Sequence, residues 1–140
     1  MARSRKAMLL LAAALIVCAS GCGIQKAAER AKKKNILMQA GLAYHQCHDT
    51  LTRGPKDLEE FKKYGGAPPE VNQALEHGDF AVFWGVHIIK DMPKGTGVTV
   101  LGYDKDVPAQ GGWVLMGDGT VKEMTAKEFE AAPRPERTNK

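Results

Sequence analysis

The residues best equipped for chemistry occupy five consecutive positions, His45-Gln46-Cys47-His48-Asp49. Two imidazoles, a thiol and a carboxylate are the raw material of metal sites and of nucleophilic catalysis. On a helix turning about 100° per residue, His45 falls ~60° from His48 and ~40° from Asp49, so the three share one edge. Histidines at i, i+3 can chelate zinc, and a fourth ligand would come from His77 or His87. The segment is not a haem attachment site, which needs C-x-x-C-H. As a nucleophile Cys47 is poorly served: adjacent helical positions diverge, and no orienting third group or oxyanion loop is visible. The plainer reading puts Cys47 in the core as a small apolar residue. His48 then borders that core, and His45 pairs with Asp49 near a helix C-terminus, where the dipole favours an imidazolium. No catalytic residue, resident metal or cofactor is assigned on this reading.

The helix that must carry this cluster runs from Asn35 to a stop before Gly54-Pro55, because a residue preceding proline is pushed out of the helical region. Ile36, Leu37, Ala40, Tyr44, Cys47 and Leu51 fall on one arc of roughly 100°, with Gly41 at its margin. An arc of that kind must be covered by other elements. Ahead of it, Gly23 to Lys34 is polar, Ala-rich and basic, with Glu29 four residues before Lys33, and reads as a helical stalk over 22–34. Lys32, Lys33 and Lys34 fit either an anionic lipid surface or a solvated helix face.

The first residues have another destination. Arg3, Arg5 and Lys6 precede an unbroken apolar run from Ala7 to Ala19, shorter than the ~20 residues a spanning helix requires. This is the pattern of a secretory leader, 1–21. It ends in Ala19-Ser20-Gly21-Cys22, which resembles a bacterial lipobox with Cys22 as the acylated residue. Each buried methylene of an acyl chain contributes about 0.8 kcal/mol, so two or three chains hold a protein at a membrane without a spanning helix. An ordinary secretory leader and an uncleaved anchor are the competing readings. The expected location is thus a membrane surface, facing periplasm or cell exterior.

Length and charge narrow the remainder. The 140 residues suffice for one small domain. The formal charge of +4 loses three positive residues with the leader, leaving 17 of the 20 basic residues against 16 acidic, about +1. With no aromatic-and-basic platform either, nucleic acid is not an expected partner. Cys18 departs with the leader, and acylation of Cys22 leaves Cys47 without an intrachain partner, which excludes a disulfide framework.

After the long helix every element is short. Residues 57–64, stopped by Gly65-Gly66, and Pro69 to His77, followed by Gly78, predict two-turn helices that must pack on something. Phe80 to Ile89 is continuously apolar and predicts a central strand, and Gly97 to Tyr103 a second. Gly112–Met116 and Thr120–Met124, joined through Gly117-Asp118-Gly119, form the clearest hairpin signal, and Trp84 and Trp113 belong to the sheet's core. Asp118 could bind calcium, but Asp-Gly is turn chemistry first, and Gly95-Thr96-Gly97 lacks the rest of a phosphate loop. Thr125 with Glu128 is a capping box opening a helix over 126–131, and the proline-broken end, 132–140, reads as a disordered tail. The whole is α+β: a long N-terminal helix on a small antiparallel sheet, with the domain spanning 35–131.

Two segments carry a family likeness. Asn35, Leu37, Gln39, Gly41, Leu42, Ala43, His45, His48, Asp49 and Thr50 resemble the segment following the N-terminal helix in a bacterial prepilin-like family of unknown function, related to type II secretion pseudopilins. PAQGGWVLMGDG resembles that family's closing motif, a histidine, nine residues, then Asp-Gly; Asp118 and Gly119 match, and Pro108 stands at the histidine's place. The resemblance implies a pilin-like fold and no established activity. The chain departs from the family in carrying a lipobox and a hydrophilic stalk where members carry a prepilin cleavage site and a hydrophobic helix. The combined expectation is a lipid-anchored envelope lipoprotein acting as a structural or interaction module with an envelope protein partner. The second reading is a metal- or small-ligand-binding envelope protein using His45, His48 and Asp49.

Overall fold

The computed structural model describes residues 3–136, with side chains from 23 onward. The expected leader and Cys22 therefore lie outside the residues whose side chains are described. Helix α1 spans Arg3–Leu51. The chain divides into two compact units, Met1–Lys32 and Lys33–Lys140, and all that follows concerns the second.

In that unit α1 lies on a four-stranded antiparallel sheet with short helices around it. Its buried residues are Ile36, Leu37, Ala40, Gly41, Ala43, Tyr44 and Cys47, with Leu51 half-buried; Ile36, Ala40, Ala43, Tyr44 and Cys47 keep the i, i+4, i+7, i+8, i+11 spacing of one helical stripe. Gly41 sits where helix and hairpin come closest: a Cβ there would stand 2.7 Å from the Leu115 side chain. Thr52 ends α1 with a φ of 59°, which β-branched residues rarely adopt.

Two short helices follow, α2 (Leu58–Gly65) and α3 (Pro69–Glu76). Asp57 caps the first by accepting from the Glu60 N–H, and Gly66 closes it. Phe61, Val71 and Ala74 bury their apolar sides against α1's stripe and the sheet, and an ion pair between Lys62 and Glu76 links the two helices.

The sheet is a meander, with strands β1 (Phe80–Val82), β2 (Val100–Asp104), β3 (Gly112–Met116) and β4 (Val121–Met124) adjacent in chain order. A register shift interrupts the β2–β3 ladder between Val100 and Gly102. Successive residues face opposite ways. Leu101 and Leu115 point to the α1 side, while Val100, Val114 and Met116 meet Val107 of helix α4 (Val107–Gln110) and Phe129 of helix α5 (Ala126–Ala131) on the other. The capping box at Thr125 and Glu128 is formed in both directions.

Three expectations differ in detail. The apolar run Phe80–Ile89 is strand only to Val82; Gly85, at φ 73°, turns the chain out of the sheet and across the end of α1. Phe80, Val86 and Ile88 are buried, as their types demanded, the last two in an irregular loop, while Ile89 is 74% exposed. The second strand starts at Val100 rather than Gly97, because Val98 and Thr99 donate back to the Gly95 carbonyl in a turn. Helix α4 was not expected. Of the expected disordered tail, 137–140 lie outside the described residues. Before them, Pro133 O accepts from the Val100 N–H and the Glu136 N–H donates to Asp91 O, while the Arg134 guanidinium stacks 4.2 Å from the Phe129 ring centroid.

Candidate functional site

The edge of α1 that carries the histidines meets two segments, the β3–β4 turn and the loop after β1. His45 Nε2 lies 3.0 Å from Gly117 O, and its ring would be 3.6 Å from a Cβ at Gly119. The turn is held in its own shape by Asp118, whose Oδ1 accepts from both the backbone N–H and the hydroxyl of Thr120 at 2.9 and 2.6 Å. That is an Asx turn. His45 therefore docks the hairpin rather than pairing with Asp49, which is exposed.

His48 turns the other way. Its Nε2 lies 3.4 Å from Nδ1 of His87, with the rings edge to face and 4.7 Å between centroids. Both are half-buried. Burial pushes the His48 pKa down, and the neighbouring charge of His87 pushes the same way, against Asp49. His87 is itself fixed: its backbone N–H donates to Asp91 Oδ2 at 2.8 Å, and the Lys90 N–H approaches its Nδ1 at 3.4 Å.

The loop that brings His87 here is anchored by Tyr44. Fully buried, its hydroxyl accepts from the Val86 N–H at 3.0 Å and donates to Phe83 O at 3.0 Å. Trp84, half-buried, packs against Tyr44 and edge-on to Phe61, with centroids 6.5 and 5.7 Å away. Trp113 is also half-buried, under the ammonium of Lys34 at 5.0 Å. These loop contacts join residues about forty positions apart, so no local pattern announced them.

Cys47 takes no part in this edge. It is fully buried, with Sγ 3.7 Å from Phe61 O, and burial, then the charge of Glu60, pushes the thiol up to about 11. A thiolate is the nucleophilic form, so at neutral pH this group is inert. His77 lies at the end of α3, near Glu76 and Asp79, and away from the His48 contact. Of the residues proposed from sequence as a metal set, the structure thus joins His48 with His87 and separates off His45. Among the described residues, no group of three His, Cys, Asp or Glu is arranged to hold a metal ion.

Among the described residues the surface elsewhere includes a pair of shallow grooves. Leu42 is 72% exposed beside a groove of about 230 Å³ between α1 and the α2–α3 connection. A second groove, about 490 Å³, runs along α5 between Pro108 and Arg134. Among the described residues no helix is long and apolar enough to cross a membrane. No known protein family, curated protein or solved structure matches the chain.

Proposed function

We propose that this chain is a lipid-anchored envelope protein, whose α+β domain is a non-catalytic structural or interaction module of the prepilin-like kind. The observation that carries it is the leader: three positive charges, an apolar run too short to span, then Ala19-Ser20-Gly21-Cys22. Acyl chains on Cys22 would place the domain at a membrane surface, facing periplasm or exterior, where an envelope protein is the expected partner. The inert Cys47 and a histidine edge spent on docking two loops support a module without catalysis. The second reading, a metal- or small-ligand-binding envelope protein, gains from the His48–His87 contact and loses His45 and Asp49 as ligands.

Labelling of cells with a radioactive fatty acid tests the anchor. Wild type is expected to take up label and fractionate with membranes, and Cys22→Ala to take up none; equal label on both refutes the proposal.

A further inference from the structure

We propose that His48 and His87 are a two-imidazole chelate for a divalent late-transition-metal ion such as Zn²⁺, bound through His48 Nε2 and His87 Nδ1, with its remaining positions open to water or an exchangeable donor. The distance is the first argument. At 3.4 Å the two nitrogens are too far apart for a good N–H···N hydrogen bond, whose usual range ends near 3.2 Å. Two nitrogens on one tetrahedral zinc, each about 2.0–2.1 Å from the metal, are ~3.4 Å apart. The pair is therefore already spaced as one edge of a coordination tetrahedron.

The second argument is preparation. A metal-binding imidazole must already stand near its working position, and both rings are half-buried and in edge-to-face contact. The Lys90 N–H stands at the same 3.4 Å from His87 Nδ1, too far for a good hydrogen bond, and turns aside when an ion takes that lone pair. The backbone of His87 is fixed by Asp91, a carboxylate only 8% exposed, and the loop around it by the Tyr44 hydroxyl. Supports of this kind orient ligands before the metal arrives. Binding leaves the neutral ring of His48 protonated on Nδ1 and that of His87 on Nε2, and nothing is oxidised or reduced.

The third argument concerns openness. His45 is occupied with Gly117 O, and among the described residues no third protein ligand completes the set. Two protein ligands make a labile site, suited to an ion that is exchanged or that brings its own ligand, rather than a closed structural one. Nitrogen donors favour zinc, copper or nickel over calcium and magnesium. Binding here does not depend on the lipid at Cys22.

The test uses the untagged full-length chain in detergent micelles, titrated with zinc chloride and followed by calorimetry and by ¹⁵N spectra of the imidazoles. One zinc per chain is expected, moving the signals of His48 Nε2 and His87 Nδ1 and leaving His45 and His77 in place. His48→Gln and His87→Gln should each weaken binding about tenfold or more, while His45→Gln and His77→Gln leave it unchanged, and magnesium should move nothing. Zinc that leaves both ring nitrogens unmoved, or that binds the His48→Gln and His87→Gln chains as tightly as wild type, overturns the proposal. Should either variant fail to fold, the wild-type imidazole spectra decide alone.

Discussion

Cys47 illustrates how one side chain's surroundings decide its chemistry. Next to two histidines in sequence, it resembles half of a catalytic pair, yet it projects into the stripe that meets Phe61, where water is absent. Its thiol is held near 11 by burial and by the charge of Glu60, so the thiolate is scarce at any physiological pH. We expect the peptide containing Cys47 to escape iodoacetamide at pH 8 in the folded chain and to be fully alkylated in guanidinium, as read by mass spectrometry. Rapid alkylation of the folded protein would show a pocket that the structure closes. His45 and His48, three positions apart, are likewise separated by what they face: a carbonyl of the hairpin in one case, a second imidazole in the other.

Among the elements, the junction of α1 with the loop after β1 should respond to acid. The His48 pKa is lowered in the folded chain, so the unfolded chain binds its proton more readily, and stability rises with pH through that window. The contribution is complete above the ordinary histidine value of about 6.5 and is lost as pH falls from there to the lowered folded value. A second loss lies lower. Hydrogen bonds from Arg53, then the Lys56 N–H, hold Glu60 at about 2 against an ordinary 4.5, so what they contribute is full above 4.5 and disappears towards 2. Urea midpoints measured from pH 8 to pH 3 should therefore fall in two stages, the upper one abolished in His48→Gln and the lower, which Glu76, Asp79, Asp118 and Glu128 share, reduced in Glu60→Gln; a single stage in wild type would contradict this assignment. Most elements of the fold were legible because their signals are local: the stripe from Ile36 to Leu51, the Thr125 cap, the Asp118-Gly119 turn. The loop from Phe83 was misread as strand because apolar type reports burial, not the backbone shape that delivers it, although Gly85 in mid-run was a visible warning. Helix α4 had its own cue in Pro108 and Gly111, three residues apart. Of the candidate site, the shared edge of His45 and His48 could be read from spacing, while the partner His87 could only be one of two possibilities, since 39 positions separate it from His48.

At the scale of the molecule, the sheet is covered on both sides, by α1, α2 and α3 on one and by α4 and α5 on the other. One ion pair fastens the start of this unit to it. Lys33 Nζ lies 2.7 Å from Oδ2 of Asp104, whose side chain is only 5% exposed, and 3.3 Å from Asp106. Removing the ammonium leaves that carboxylate shielded from water without a cation. Lys33→Ala should cost about 1–3 kcal/mol in urea unfolding of the full chain, less than for a fully enclosed pair because Lys33 itself reaches solvent; an unchanged midpoint would show the contact to be incidental. The meander brings a further consequence. Each strand pairs with the one made just before it, but the stripe on α1 leaves the ribosome first, and Leu101 and Leu115, which cover it, come much later. Until the last hairpin is made, the stripe has Phe61, Val71 and Ala74 to cover it but not yet Leu115, and part of it stays open during synthesis.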